Sequence, residues 1–199
     1  MRLTGQVVVL AVILILLGGC ANNAALETMQ YLLPMPERVS ALKTSAKMNM
    51  SQPIQIKAIK IPGYLEKPNI VMVDPDGQVY LASQHLWAES LSSQLEKMTL
   101  RRLKERLPML TWIPSYQYIR PHLLLDIEVY RFHADRHGKI TASGHWSLWS
   151  PSKQLLHEAS FESVEMMQQS GYPAMTQQLS HLWLTQIVDP IAATLAARQ

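Results

Sequence analysis

Cys20 is the only cysteine in the chain, which rules out an intramolecular disulfide. Whatever folds here must be held by burial alone, and with 48% of its 199 residues hydrophobic the chain has the means. That length suits one domain with a tether. The position of Cys20 constrains the chain further. Ahead of it come Arg2, an unbroken apolar run from Val7 to Leu17, and the small-residue exit Leu17-Gly18-Gly19. A positive start, an apolar middle and a small-residue end are the parts of an export signal. A membrane-spanning helix needs about 20 apolar residues. This run stops short of that at a glycine pair.

Leu17-Gly18-Gly19-Cys20 resembles a bacterial lipobox, where the thiol is diacylated, the chain is cut before the cysteine, and the new N-terminus is acylated. The expectation is a signal peptide over 1–19 and a mature chain that starts at a lipidated Cys20. Several acyl chains at about 0.8 kcal/mol per buried methylene make a firm anchor. Inner-membrane retention in enteric-type bacteria favours Asp after the cysteine, so Ala21 points to the outer membrane. The chain carries 18 Lys and Arg against 15 Asp and Glu, a formal +3 that falls by one when Arg2 leaves with the leader. That balance is too mild to argue for nucleic acid. Composition also excludes a disordered chain and a disulfide scaffold, and says nothing about chemistry.

Residues 20–52 read as the lipidated N-terminus and tether, extended at Tyr31-Leu32-Leu33-Pro34 because a residue before proline avoids the helical region. The globular domain is expected over 53–199. Ile54, Ile56 and Ala58 alternate with polar residues, then the phase shifts to Ile59 and Ile61, which predicts a bulged strand ending at Pro62-Gly63. Asn69–Val73 and Gln78–Ala82 flank Asp74-Pro75-Asp76-Gly77, a hairpin. A Ser83 cap predicts a helix up to Pro108, with Trp87, Leu91, Leu95 and Met98 on its apolar face and Arg101, Arg102, Lys104 and Arg106 as a solvated basic end.

After Leu110–Ile113, alternation over His122–His133, Ile140–Ser150 and Gln154–Glu165 predicts a three-stranded meander. In its first strand, Leu123, Leu125, Ile127 and Val129 share one face, and Leu124, Asp126, Glu128, Tyr130 and Phe132 the other. A final helix over Pro173–Ala197 should kink or divide at Pro190. The order predicts an α+β domain: a largely antiparallel sheet with two long helices packed on one face, behind an N-terminal lipid-anchored tether.

The residues offer little chemistry. His133 and His137, with Asp135 between them, straddle a turn rather than a helix face, so solvated histidines are expected rather than metal ligands. Ser143-Gly144-His145 lies within a strand, away from any sharp nucleophile turn. Asp126 and Glu128 share a face and could pair, though solvent or a neighbouring subunit is the plainer expectation. There is no glycine-rich phosphate loop and no zinc signature. No catalytic residues, metal site or cofactor are expected.

The run Ile59-Lys60-Ile61-Pro62-Gly63-Tyr64-Leu65-Glu66-Lys67-Pro68-Asn69-Ile70-Val71, followed by Trp87-Ala88-Glu89-Ser90-Leu91, resembles paired motifs of the ABC-type transport auxiliary lipoprotein family, the one containing the PqiC proteins. The motif residues are Tyr64, Leu65, Trp87, Ala88, Glu89 and Leu91, expected to serve the fold or an interface. The resemblance implies an outer-membrane lipoprotein facing the periplasm, attached through Cys20. It further implies a non-enzymatic subunit of a PqiABC-type intermembrane lipid transport system that docks an MCE-domain protein of the PqiB type and supports envelope integrity. Receiving a hollow partner suggests a homo-oligomer closed into a ring, because head-to-tail contacts close that way. Two other classes stay open on the residues alone. One is an envelope lipoprotein that activates a cell-wall synthase or belongs to a secretion channel; the other is an envelope hydrolase using Asp126, Glu128 or the histidines.

Overall fold

The computed structural model describes residues 27–42, 52–118 and 122–197; Cys20 and the leader lie outside them. In chain order the elements are β1 (Met29–Tyr31), β2 (Ile54–Ile56), β3 (Asn69–Val73), β4 (Val79–Trp87), α1 (Leu91–Arg106), β5 (Trp112–Ile113), β6 (Leu123–Ala134), β7 (Lys139–Trp149), β8 (Leu155–Met166), α2 (Tyr172–Leu182) and α3 (Asp189–Ala197). The last two are joined without a break by a π-helical turn, Trp183–Val188.

The alternating stretch 123–166 forms the predicted meander, with β7 antiparallel to both β6 and β8. Asp135 shapes the first turn: its Oδ1 accepts from the backbone N–H groups of His137 and Lys139 at 2.8 Å each, and Gly138 supplies φ +84. On its other side β6 is parallel to β2 at its start (Ile54 opposite Leu123) and to β3 at its end (Met72 opposite Ala134). Beyond those lie β5 and the pair β4 and β1. The long pairings are antiparallel and the short ones parallel, so the sheet is mixed.

The phase change after Ile56 is real. Lys57 N–H donates to Leu125 O and Lys60 N–H to Ile127 O, so three steps on one strand match two on the other. A second bulge, at Tyr130 between Val129 and Arg131 in β6, changes the expected faces. It turns Phe132 from the Tyr130 side into the core, where it is 2% exposed. The sheet is tightest opposite this bulge. A Cβ on Gly144 would sit 2.1 Å from Glu128 O and 2.7 Å from the Phe161 ring, so only glycine fits.

Two element boundaries also differ from expectation. Ser83 does not open a helix; it lies inside β4, whose backbone pairs with β3 and β1, and that pairing outweighs a local cap signal. The cap is Ser90, whose side chain accepts from Ser93 N–H at 3.4 Å. Trp87 therefore ends a strand, and Ala88 and Glu89 form the connection to the helix. The segment 27–42 is part of the folded body: β1 pairs with β4, and Leu33 is 5% exposed within the core.

Both long helical stretches pack on one face of the sheet. Trp183, fully buried, meets Phe132 and Phe161 edge-on, with ring centroids 5.9 and 6.0 Å away, and its Nε1 donates to Thr99 Oγ1 at 3.0 Å. Pro190 has no N–H to offer the helix. The backbone adapts just before it by widening, and Asp189 N–H reaches back to Leu184 O. Asp189 then takes both Arg102 and Arg106 in two-point pairs at 2.7–2.9 Å. The run expected as a solvated basic end is thus split, with Arg102 buried and Arg101 and Lys104 outward.

Burial opposes ionisation of Asp189, but the hydrogen bonds from Arg106 and Arg102 outweigh it and hold the carboxyl below its ordinary range. Replacing it would leave Arg102 buried and unpaired, so Asp189→Ala should destabilise the fold by about 3–5 kcal/mol in urea unfolding. A carboxyl held low stabilises fully above its unfolded pKa of about 3.9 and loses that contribution as pH falls through its folded value. Below about pH 4 the gap between wild type and Asp189→Ala should therefore narrow.

Candidate functional site

The family-motif residues converge on one structural hub. Pro62 leads into a tight turn, Gly63–Leu65, that buries Leu65 to 2% exposure. Tyr64 hangs over β6, and its hydroxyl donates to Tyr130 O at 3.2 Å. Tyr130 is the extra residue of the bulge, so the motif tyrosine satisfies a carbonyl there. Burial raises the Tyr64 pKa against a smaller opposing pull from Arg131. The second motif meets the first directly: Trp87 N–H donates to Pro68 O, and Ser92 Oγ in the first turn of α1 donates to Ile59 O. Leu91, 2% exposed, begins the buried stripe of that helix.

The connection Ala88-Glu89 also holds the N-terminal segment. Ala88 N–H donates to Tyr31 O at 2.9 Å. Gln94, 4% exposed, donates to Glu89 O at 2.8 Å and accepts from Leu33 N–H at 2.7 Å. Ser180 Oγ donates to Pro34 O. At the far end Arg106 donates to Ser40 O at 3.0 Å, and Leu42 N–H to Arg106 O at 2.9 Å. Residues 29–42 thus form a strap laid along α1 from its first turns to its last. The Glu89 side chain accepts from Lys97 and from Ser93 Oγ, and those bonds lower its pKa. Tyr31, His85 and Tyr172 lock the start of the strap: the Tyr31 hydroxyl lies 2.9 Å from His85 Nδ1, and His85 stacks on Tyr172 at 3.8 Å.

The sheet face opposite the helices is open and polar. Its residues do not assemble as a catalytic pair. Asp126 is engaged by Lys57 at 2.7 Å and Lys60 at 3.6 Å. Ser143 Oγ accepts from Arg131 at 2.9 Å, and His145 Nδ1 lies 3.1 Å from the Tyr130 hydroxyl rather than on the serine. No group of three His, Cys, Asp or Glu residues suited to a metal occurs among the described residues. At the end of this face where β6 begins, Lys57, Leu124, Asp126, Trp149 and Lys153 line a groove of about 820 Å³.

The sequence model for the ABC-type transport auxiliary lipoprotein component family matches residues 31–192, and the chain belongs to that family. The match begins inside the strap. No curated protein matches the chain. Among solved structures, an uncharacterized protein is similar with a TM-score of 0.70 at 25% identity, over 85% of this chain and 99% of that one. A Xanthomonas campestris protein of family DUF330 is similar with a TM-score of 0.68 at 18% identity, over 84% and 95%.

Gln94→Ala removes the strap's buried acceptor and leaves Leu33 N–H without a partner, a cost of about 1–3 kcal/mol. Trypsin cleavage after the exposed Arg38 tracks the population of opened strap and should quicken roughly fivefold to a hundredfold. Tyr64→Phe should instead lower global stability by about 1 kcal/mol and leave cleavage at Arg38 unchanged under native conditions.

Proposed function

We propose that this member of the ABC-type transport auxiliary lipoprotein family is the outer-membrane lipoprotein of a PqiABC-type intermembrane lipid transport system. Acyl chains on Cys20 hold it on the periplasmic face. The folded domain docks the periplasm-spanning MCE-domain protein of the PqiB type and, as a homo-oligomeric ring, receives its end. The role is one of binding and support of envelope integrity, without catalysis or a cofactor.

The strap is the observation that carries this reading. Six residues lie between Cys20 and Glu27, the first described residue, and the seven steps from one to the other span at most about 25 Å. Residues 29–42 are bound to the domain and so add nothing to the reach expected of residues 21–52. A body held this near its anchor suits a receptor fixed at a membrane surface. No helix among the described residues is long and apolar enough to cross a membrane.

The test is affinity purification of the tagged full chain from detergent-solubilised membranes, beside a Cys20→Ala control. The wild type should carry a triacyl mass on Cys20 and bring down an MCE-domain protein, and the control should lose both the acyl mass and its outer-membrane fraction. Recovery of an unmodified thiol with the leader attached, or of no MCE-domain partner, would overturn the reading.

A further inference from the structure

We infer that copies of this chain join edge to edge, the free edge of β8 in one copy pairing antiparallel with the free edge of β4 in the next. The inference deepens the ring reading of the proposed function, on which it rests, by naming the contact that would build the ring. β8 pairs only with β7, and β1 covers β4 only over 85–87. That leaves 79–84 of β4 without a neighbouring strand on its outer side among the described residues. Exposed apolar side chains mark both edges: Val79 and Leu81 on β4, at 46% and 49% exposure, and Val164 and Met166 on β8, at 47% and 61%. All four lie on the open face of the sheet. Phe161 meets Trp183 on the helix side, so alternation turns Val164 and Met166 away from it. Tyr80 shares the helix side with Met72 and Ala134, so Val79 and Leu81 also face away.

The two edges match in level, phase and direction. Tyr80, Met72, Ala134, Ile140 and Glu165 are successive partners across five strands, which puts both apolar pairs at one height. Asp74 N–H donates to Gln78 O, so Val79 and Leu81 turn their own N–H and C=O groups outward. Met167 N–H donates to Gly138 O, so Val164 and Met166 do the same at the other edge. Met166 O already accepts from Gln178 Nε2 at 2.8 Å, and a carbonyl has a second lone pair. β4 and β8 run in opposite directions within the sheet. A second copy set alongside therefore places Val164 opposite Leu81 and Met166 opposite Val79, with no slide along the strands. A slide repeated from copy to copy winds a helix, and its absence suits a closed ring. On the helix side the same register sets Glu165 beside Tyr80 of the next copy, whose ring carries the Arg136 guanidinium at 4.2 Å. Neither strand has the lysine or proline that guards an edge. Two β8 edges would instead bring Glu158 and Glu162 of each copy together with no Lys or Arg on either strand, which disfavours a two-fold dimer.

The full lipidated chain in detergent would be weighed by native mass spectrometry and then crosslinked. Wild type should be a multimer, and Leu81→Lys or Val164→Lys should reduce it to a monomer. Within one copy Leu81 and Val164 lie four strand spacings apart, about 19 Å, beyond the roughly 7 Å that a disulfide tolerates. With Cys20 acylated, oxidation of a chain carrying both Leu81→Cys and Val164→Cys should give a ladder of covalent multimers, and neither single variant should. The cysteine pair keeps the test decisive even if a lysine variant folds poorly. Crosslinked dimers from the single variants with no ladder from the double would overturn the inference. So would a monomeric wild type, including one whose β4 edge is covered by its own residues 21–26. A monomer that still brings down the MCE-domain protein removes ring and contact but leaves the docking role. A multimer that both lysine variants leave intact removes this contact alone.

Discussion

The fold depends on one carboxylate. Asp189 receives two guanidinium groups from α1 while sitting where the π-helical turn passes into α3. It ties the two helical layers together in a chain that has no second cysteine with which to do so. Arg106 then carries the connection outward, since the same side chain that grips Asp189 also holds the strap's end at Ser40. Helices and the far end of the N-terminal segment thus meet at one half-buried carboxylate. Such a pair is weak evidence for net stability compared with an apolar substitute. Its contribution is to fix how the elements sit on one another.

Much of this architecture could be read from residue patterns. Strict alternation over 123–166 identified the meander, Asp74-Pro75-Asp76-Gly77 the hairpin, and Pro190 the irregular helix. The failures share a cause: a partner distant in sequence decided the local structure. Ser83 has a cap's chemistry, but its backbone belongs to a strand pair. Phe132 alternates onto the solvent face until a one-residue bulge shifts the phase. The strap looked like linker because its order comes from Gln94, Ser180 and Arg106, contacts 61, 146 and 66 residues away. Two residues in the sequence do mark such contacts. Gln94 lies on the apolar stripe of α1 among Leu91, Leu95 and Met98, and Asp189 sits in an otherwise apolar helix. A polar residue on a buried face marks a contact that needs it.

The family motifs turn out to be chiefly architectural. Tyr64 closes a bulge, Trp87 joins β4 to Pro68, and Ala88 and Glu89 help seat the strap. The residues that form the open-face groove belong to neither motif. A pattern search tuned to the fold would therefore miss them, because a groove assembled from the residue after β2, the start of β6, the end of β7 and the turn that follows leaves no compact signature along the chain.

The strap's direction has a mechanical consequence. β1 runs parallel to β4, and the segment after it follows α1 lengthwise. In the proposed arrangement, anchored at Cys20 and bound to a trans-envelope partner, tension along the strap would load its hydrogen bonds in shear, many at once, rather than peel them one at a time. A strap laid this way resists force along its length while yielding readily to a sideways pull.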